Sequence, residues 1–379
     1  MNQFQSFPRS LFSIHYFLLA LLSFFILHSS SFAGARVEGD WIVVTGKGNT
    51  LESVARDVGD GTILSFDPET GSAVSARSFR VAGELAIGGP ATSGSIYRYA
   101  NSLEFDVGKC GQGRIVLASS NGADSQPVLR VENARIAAVR TDEGNDACKS
   151  EGNVVEVAAG RLLLRRANVS GNFIVRAGGG GVEVKDSLIS TSNHTGMAIG
   201  GRTGILPVNI SQLQLLDHKI YGMEVGPIEQ ASSLSKGPLL LDDCTIRGGG
   251  ADLHVRGKTE IIARDCDFDS IRFAGEGGRV RRQWTVAVRT PAAGCRAVAE
   301  SEKGVGMPER VEATADTSGV ARLVLTEYVA RPGGEDYLRR DQNDSTPHRL
   351  TVYAPDGKTV LGRIGNYRVL AKGQEVRIP

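Results

Sequence analysis

The chain has 379 residues, 47 of them glycine, with 43 Lys plus Arg balancing 42 Asp plus Glu. A composition 41% hydrophobic and 22% charged belongs to a folded protein and excludes global disorder. The near-neutral charge leaves no electrostatic footprint for a nucleic acid, and six His, five Cys and two Trp offer few residues for metal or stacking chemistry.

Arg9 precedes an apolar run from Tyr16 to Leu27, followed by small polar residues. A positive start, an apolar centre and a small-x-small exit predict a secretory signal peptide over residues 1–35, cleaved after Ser31-Phe32-Ala33 or Ala33-Gly34-Ala35. The run is shorter than the ~20 residues that span a bilayer, and no other stretch is long and apolar enough. The expectation is a mature chain without a membrane span, secreted, periplasmic or held at the cell surface. Export permits disulfides, but five cysteines leave at least one thiol free in a monomer. Cys110 and Cys148, near polar loops, are the better disulfide candidates, whereas Cys244 and Cys266 could pair between coils but fit better as a stacked ladder of small inward thiols.

Residues 36–78 read as an N-terminal cap segment. NTLESVARDVG at 49–59 predicts a short amphipathic helix, capped by Asn49 or Thr50, with Leu51, Val54 and Val58 on one face. ILSFDPETGSAV then predicts a strand, a turn and a strand. GKGNTLESVARDVGD also resembles the opening of a LysM glycan-binding module, an alternative to a plain cap.

Residues 79–282 carry internal repeats. LRVENARI (129–136), LLLRRANV (162–169), VEVKDSLI (182–189), LQLLDHKI (213–220), LLLDDCTI (239–246) and IIARDCDF (261–268) can be laid over one another. Each has an alternating apolar strand, two polar residues, a position that is usually small, and then Val, Ile or Phe. The aligned column holds Ala134, Ala167, Ser187, His218, Cys244 and Cys266. A lone strand cannot bury its apolar face, so such a repeat predicts stacked parallel strands with Gly-rich bends at 178–181 and 248–250. On these motifs the region resembles the right-handed parallel β-helix proteins of the pectate-lyase-like superfamily. The resemblance implies an all-β solenoid and identifies no particular activity.

Residues 283–379 change pattern. WTVAVR (284–289), VARLVLTEYV (320–329) and HRLTVYA (348–354) alternate as strands, with turn signals at 316–319 and 355–357. TADTSGVARLVL and HRLTVYAPDGK resemble the prealbumin-like or carboxypeptidase-regulatory-like β-sandwich, which implies an accessory domain. The overall expectation is an all-β protein: a parallel β-helix, an N-terminal helical cap and a C-terminal β-sandwich.

Candidate chemistry gathers at the repeat's corner. Asp186, Asp217, Asp243 and Asp265 precede the aligned small residue. Stacked in register they would lie ~4.8 Å apart and repel one another unless a calcium ion or basic side chains offset them. Equally, short Asp side chains bind local backbone amides, so a repeated corner repeats its Asp without any ligand. Calcium-assisted lyases of the resembled superfamily set a basic residue beside acidic clusters, which makes Lys185, Arg247 and Arg264 the candidate bases. His194, in the polar stretch STSNHTG, and an outward stripe of Asp252, His254 and Arg256 are candidate substrate-binding residues for an acidic sugar. The motif set of polygalacturonase-type hydrolases is represented only by Asp242-Asp243. Two functions follow: a non-catalytic, carbohydrate-associated extracellular scaffold, or a polysaccharide lyase or glycoside hydrolase acting on an acidic glycan.

Overall fold

The computed structural model describes residues 33–59, 63–67, 72–75, 77–81, 84–87, 96–98, 104–106, 114–117, 128–132, 135–137, 153–157, 161–170, 174–177, 181–192, 195–201, 208–228, 238–303, 305–332 and 345–378. About two thirds of them lie in β-strands. The expected leader falls outside this set except at its end. Gly34 and Ala35 already belong to the strand Gly34–Glu38, which pairs antiparallel with Trp41–Thr45.

The only helix among the described residues, α1 (Leu51–Val58), starts where the sequence provides a capping box. Thr50 Oγ1 accepts from Ser53 N at 3.1 Å, while Ser53 Oγ accepts from Thr50 N at 2.9 Å. Gly59, at φ 71°, ends it. Asn49 is not the cap. Its buried amide donates to Thr45 O, Gly46 O and Glu84 O, tying the first turn of chain to the next. The chain continues into the antiparallel pair Ile63–Asp67 and Ser72–Ser75, the two expected strands, and the turn expected between them lies outside the described residues.

From Trp41 to Arg289 the chain returns repeatedly to two sheets in turn, apart from Ile63–Asp67, Ser72–Ser75 and Ile96–Arg98, which form a small third sheet. One receives, among others, Trp41–Thr45, Ser78–Val81, Arg161–Arg165, Gly181–Ser192, Val208–His218, Leu239–Asp242, Glu260–Arg264 and Arg279–Arg289. The other receives Glu84–Ile87, Asn153–Val157, Met197–Gly201, Tyr221–Ile228, Ala251–Arg256 and Ile271–Ala274, with shorter strands between them. Neighbours from successive visits pair parallel and in register.

Parallel register turns an alternating pattern into columns. Leu162, Val182, Val208, Leu239, Ile261 and Val280 are successive partners, as are Leu164, Val184, Ile210, Leu241 and Ala263. Most are fully buried in one continuous core. Each buried aliphatic side chain contributes roughly 1.5–3 kcal/mol. At Gly248 the chains come so close that a Cβ would sit 2.3 Å from both Ala251 O and Gly222 N, so only glycine fits that bend.

The long strand Arg279–Arg289 ends this regime. It pairs parallel with Glu260–Arg264 and antiparallel with Val320–Ala330, and the expected boundary at 282/283 falls inside it. Four antiparallel strands follow in the order Arg310–Thr314, Arg296–Ser301, His348–Tyr353, Val360–Tyr367. They enclose a second core that includes Trp284, Val286, Leu323, Leu325, Leu350 and Val352. The column Leu164 to Ala263 finishes on Arg282. Its guanidinium lies over the rings of Phe268 and Trp284, 4.7 Å from each centroid, with Glu327 3.6 Å away.

Candidate functional site

At the corner of the first sheet the backbone enters the left-handed region on five successive rungs: Arg166 (φ 49°), Asp186 (51°), Gln212 (52°), Asp243 (54°) and Asp265 (55°). That conformation is costly for most residues with a Cβ and least so for Asp and Asn, which accounts for the repeated Asp. The row corrects the sequence alignment. Ser187 pairs with Leu213, so Gln212 and not Asp217 occupies the corner, and Leu213 and not His218 fills the aligned small-residue column. The repeat copy LQLLDHKI is therefore displaced by five residues. Asp217 has its own left-handed turn (φ 59°) at the far end of Val208–His218.

His218 is buried and donates Nε2–H to Ile189 O at 3.0 Å. Desolvation by burial pulls its pKa from 6.5 down to about 4, so the ring is neutral at neutral pH.

The four acids do not converge as a calcium site. Asp243 pairs with Lys372, which arrives from the C-terminal segment. Asp265 accepts from Thr285 N at 2.7 Å and from Thr285 Oγ1 at 2.6 Å. Asp217 has left the row. Among the described residues no group of three or more His, Cys, Asp or Glu is placed to hold a metal ion.

Two of the three candidate bases are committed as cations. Arg264 forms a two-pronged pair with Asp242, 2.8 Å on each arm, which raises its pKa and makes proton acceptance harder. Arg247 binds Asp267 at 2.7 Å. Lys185 is exposed, and its carbonyl accepts from Arg166 N at 3.0 Å, part of the corner's backbone bonding.

Between the corner row and the strand leg after it runs a groove of about 610 Å³. Arg166, Asp186, Gln212 and Asp243 line one side, Asn168, Leu188, Gln214 and Thr245 the other, and Lys372 closes over Asp243. Each rung thus presents a corner residue and a second side chain two positions on, repeated every ~4.8 Å. Asn168, Leu188, Gln212, Gln214, Thr245 and Lys372 are groove residues that sequence reasoning missed. The glutamines do not look like a repeated motif, and Lys372 lies 129 residues from its partner.

The second sheet carries the other constellation. Asp252 is not an outward ligand. It is buried, accepting from Gly248 N (2.9 Å), Asp269 N (2.6 Å) and Ser270 N (3.0 Å), and so braces two turns. His254 is also largely buried, stacked on Tyr221 with ring centroids 4.2 Å apart. Its Nδ1–H donates to Glu224 Oε2 at 3.1 Å, and the exposed Arg256 donates to Glu224 Oε1 at 3.1 Å. Glu224 thus orients both. Its only signal in the sequence is a charge set between Met223 and Val225 in an otherwise apolar strand. His194 lies outside the described residues.

Cys244 and Cys266 occupy adjacent rungs of the inward column as free, buried thiols, with Cys244 N donating to Cys266 Sγ at 3.4 Å. Contact with Cys244, and then burial, push the Cys266 thiol up, so it packs as a protonated small side chain. Cys295 is likewise free and buried, and Cys110 and Cys148 lie outside the described residues.

No family model matches this chain, and neither does any curated protein or solved structure.

Proposed function

We propose that the chain is a secreted, right-handed parallel β-helix of the pectate-lyase-like kind. A leader is removed from its N-terminus, a β-sandwich closes its C-terminal end, and it serves as a glycan-binding scaffold at or outside the cell surface. The alternation between two parallel sheets supports the solenoid reading, since a right-handed crossover is the rule for parallel strands. The groove at the corner carries the functional reading. Its amides and hydroxyl at Asn168, Gln212, Gln214 and Thr245 are spread along the stacking axis, with the apolar Leu188 between Asn168 and Gln214, which suits an extended polymer with hydroxyls and an apolar ring face. The purified mature chain is expected to bind a soluble polysaccharide in a calorimetric panel of neutral, acidic and amino glycans. The double variant Gln212→Ala/Gln214→Ala should lose about tenfold or more of that affinity, since each polar group left unpaired against a bound sugar costs roughly 1–3 kcal/mol. Equal affinity of variant and wild type would remove the groove as the site.

One observation favours the second reading, a lyase or hydrolase acting on an acidic glycan. Glu224 holds the His254 imidazole in the arrangement by which a carboxylate orients a general base, with Arg256 at hand for an acidic group. On this reading His254 takes the role first given to Lys185, Arg247 and Arg264. Unsaturated or reducing-end products from a polyuronate, lost on His254→Ala, would establish it. Absence of such products leaves the binding scaffold.

A further inference from the structure

We infer that the groove selects a cationic amino glycan, a hexosamine polymer bearing free ammonium groups, and that Asp186 is the residue that recognises the charge. The inference rests on the groove being the glycan site and adds the class of sugar.

The left-handed corner does not itself need a carboxylate. Arg166 and Gln212 adopt the same conformation on the rungs before and after Asp186. Where the row does use a carboxylate structurally, the bonds are plain: Asp265 holds both the amide and the hydroxyl of Thr285. The groove contains two carboxylates, and they differ. Asp243 is neutralised by Lys372. Asp186 is exposed, and among the described residues it makes neither a turn-closing hydrogen bond nor an ion pair. It therefore offers a negative charge held in no ion pair, with Arg166 on the preceding rung and the amides of Gln212, Gln214 and Asn168 along the groove.

That set has a chemical complement. A carboxylate outside any ion pair favours an ammonium ion, and a charge-assisted hydrogen bond is the stronger kind. Carboxamides donate and accept together, which suits hydroxyl and acetamido groups on neighbouring sugars. A polyuronate fits poorly, because its carboxylates would face Asp186 while Lys372 is held by Asp243 and Arg166, the groove's other cation, already has a partner of its own.

The test compares the mature wild-type chain with Asp186→Asn, a replacement close in shape that also tolerates the left-handed backbone and so should keep its unfolding midpoint. Titration calorimetry would use three soluble probes of similar length: partially deacetylated glucosamine oligomers, fully N-acetylated oligomers and an oligouronate. The expected result is that the deacetylated oligomer binds most tightly, by about tenfold over its acetylated counterpart, and that Asp186→Asn removes this preference while leaving the weaker binding of the acetylated oligomer. Raised salt should erode the preference in the wild type only. A preference that survives in Asp186→Asn, or a wild type that favours the oligouronate or the acetylated form, overturns the inference. If that other binding is lost on Gln212→Ala/Gln214→Ala, the groove reading stands without it. If none of the probes binds, both fall.

Discussion

The parallel stack and the antiparallel tail solve the problem of placing polar side chains in opposite ways. In the stack, equivalent positions fall into columns, so one residue type finds its counterpart a strand away: Cys244 beside Cys266, Gln212 between Asp186 and Asp243. In the tail, polar groups are handled locally or by single long-range pairs. Asp316 Oδ1 closes its own turn on Ser318 N and Val320 N, and Asp356 does the same on Lys358 N and Thr359 N. The fully buried His348 meets Glu309 at 2.9 Å, and that carboxylate oxygen also accepts from Thr326 N. A column can present a row of side chains to an extended ligand, whereas the tail's isolated pairs hold one fold together. The groove accordingly lies on the stack, and the tail contributes Lys372 at its end.

If the two regions are mechanically joined through Arg279–Arg289, the largest effect should come from the residue where both meet. Trp284→Ala removes a buried indole that donates to Glu327 at 2.7 Å and covers Arg282. A loss of about 3–5 kcal/mol is expected in chemical denaturation. Retention of a single transition would show that stack and tail unfold together, whereas two separated transitions would break the link.

Next in size is the acid sensitivity of the stack. The depressed pKa of His218 means that unfolding is accompanied by proton uptake below pH 6.5. Stability is therefore intact above that pH and declines as pH falls towards about 4, by about 3 kcal/mol in total. His218→Gln should flatten the difference between denaturation midpoints measured at pH 7 and pH 4.5. A variant that keeps the full slope would assign the sensitivity to other groups.

A smaller effect separates geometry from charge in the corner row. Asp265→Ala should cost about 2 kcal/mol, from the left-handed backbone and the lost bonds to Thr285. Asp265→Asn should cost less than half as much, read from thermal unfolding. Equal losses would mean that the negative charge, not the turn, is what the corner needs. The smallest change belongs to Lys372→Ala, whose exposed pair with Asp243 is worth 0 to about 1 kcal/mol. Its unfolding midpoint should scarcely move while ligand affinity in the groove changes.

Much of the stack was legible because its signals are local. LLLDDCTI and IIARDCDF place their buried leucines, isoleucines and cysteines as their alternation implies, and Leu239–Asp242 pairs directly with Glu260–Arg264. The copy at Val208–His218 was misread because Gln212 fills a corner that Asp fills elsewhere, while Leu216-Asp217-His218 imitates the motif five residues later. In the tail, Trp284–Arg289 alternates cleanly, Val320–Ala330 and His348–Tyr353 are rich in buried apolar residues, and all three strands were foreseen. Arg310–Thr314 and Val360–Tyr367 were not, because they lie exposed or half-exposed and so carry little apolar periodicity. The Glu224–His254 pair and the Lys372–Asp243 pair join residues 30 and 129 positions apart, a distance over which side-chain pattern carries no information.

The covering of the last rung has a consequence for behaviour at high concentration. A parallel stack has no natural end, since its final strand offers an unpaired row of amides and carbonyls to any neighbour. Here Val320–Ala330 occupies that row against Arg279–Arg289 in the opposite direction, and Arg282 places a cation where the next aliphatic knob would sit. On this sheet the arrangement leaves no open row for a further copy, so the tail guards that edge against end-to-end growth into fibres, while Ile271–Ala274 is the outer strand of the second sheet among the described residues.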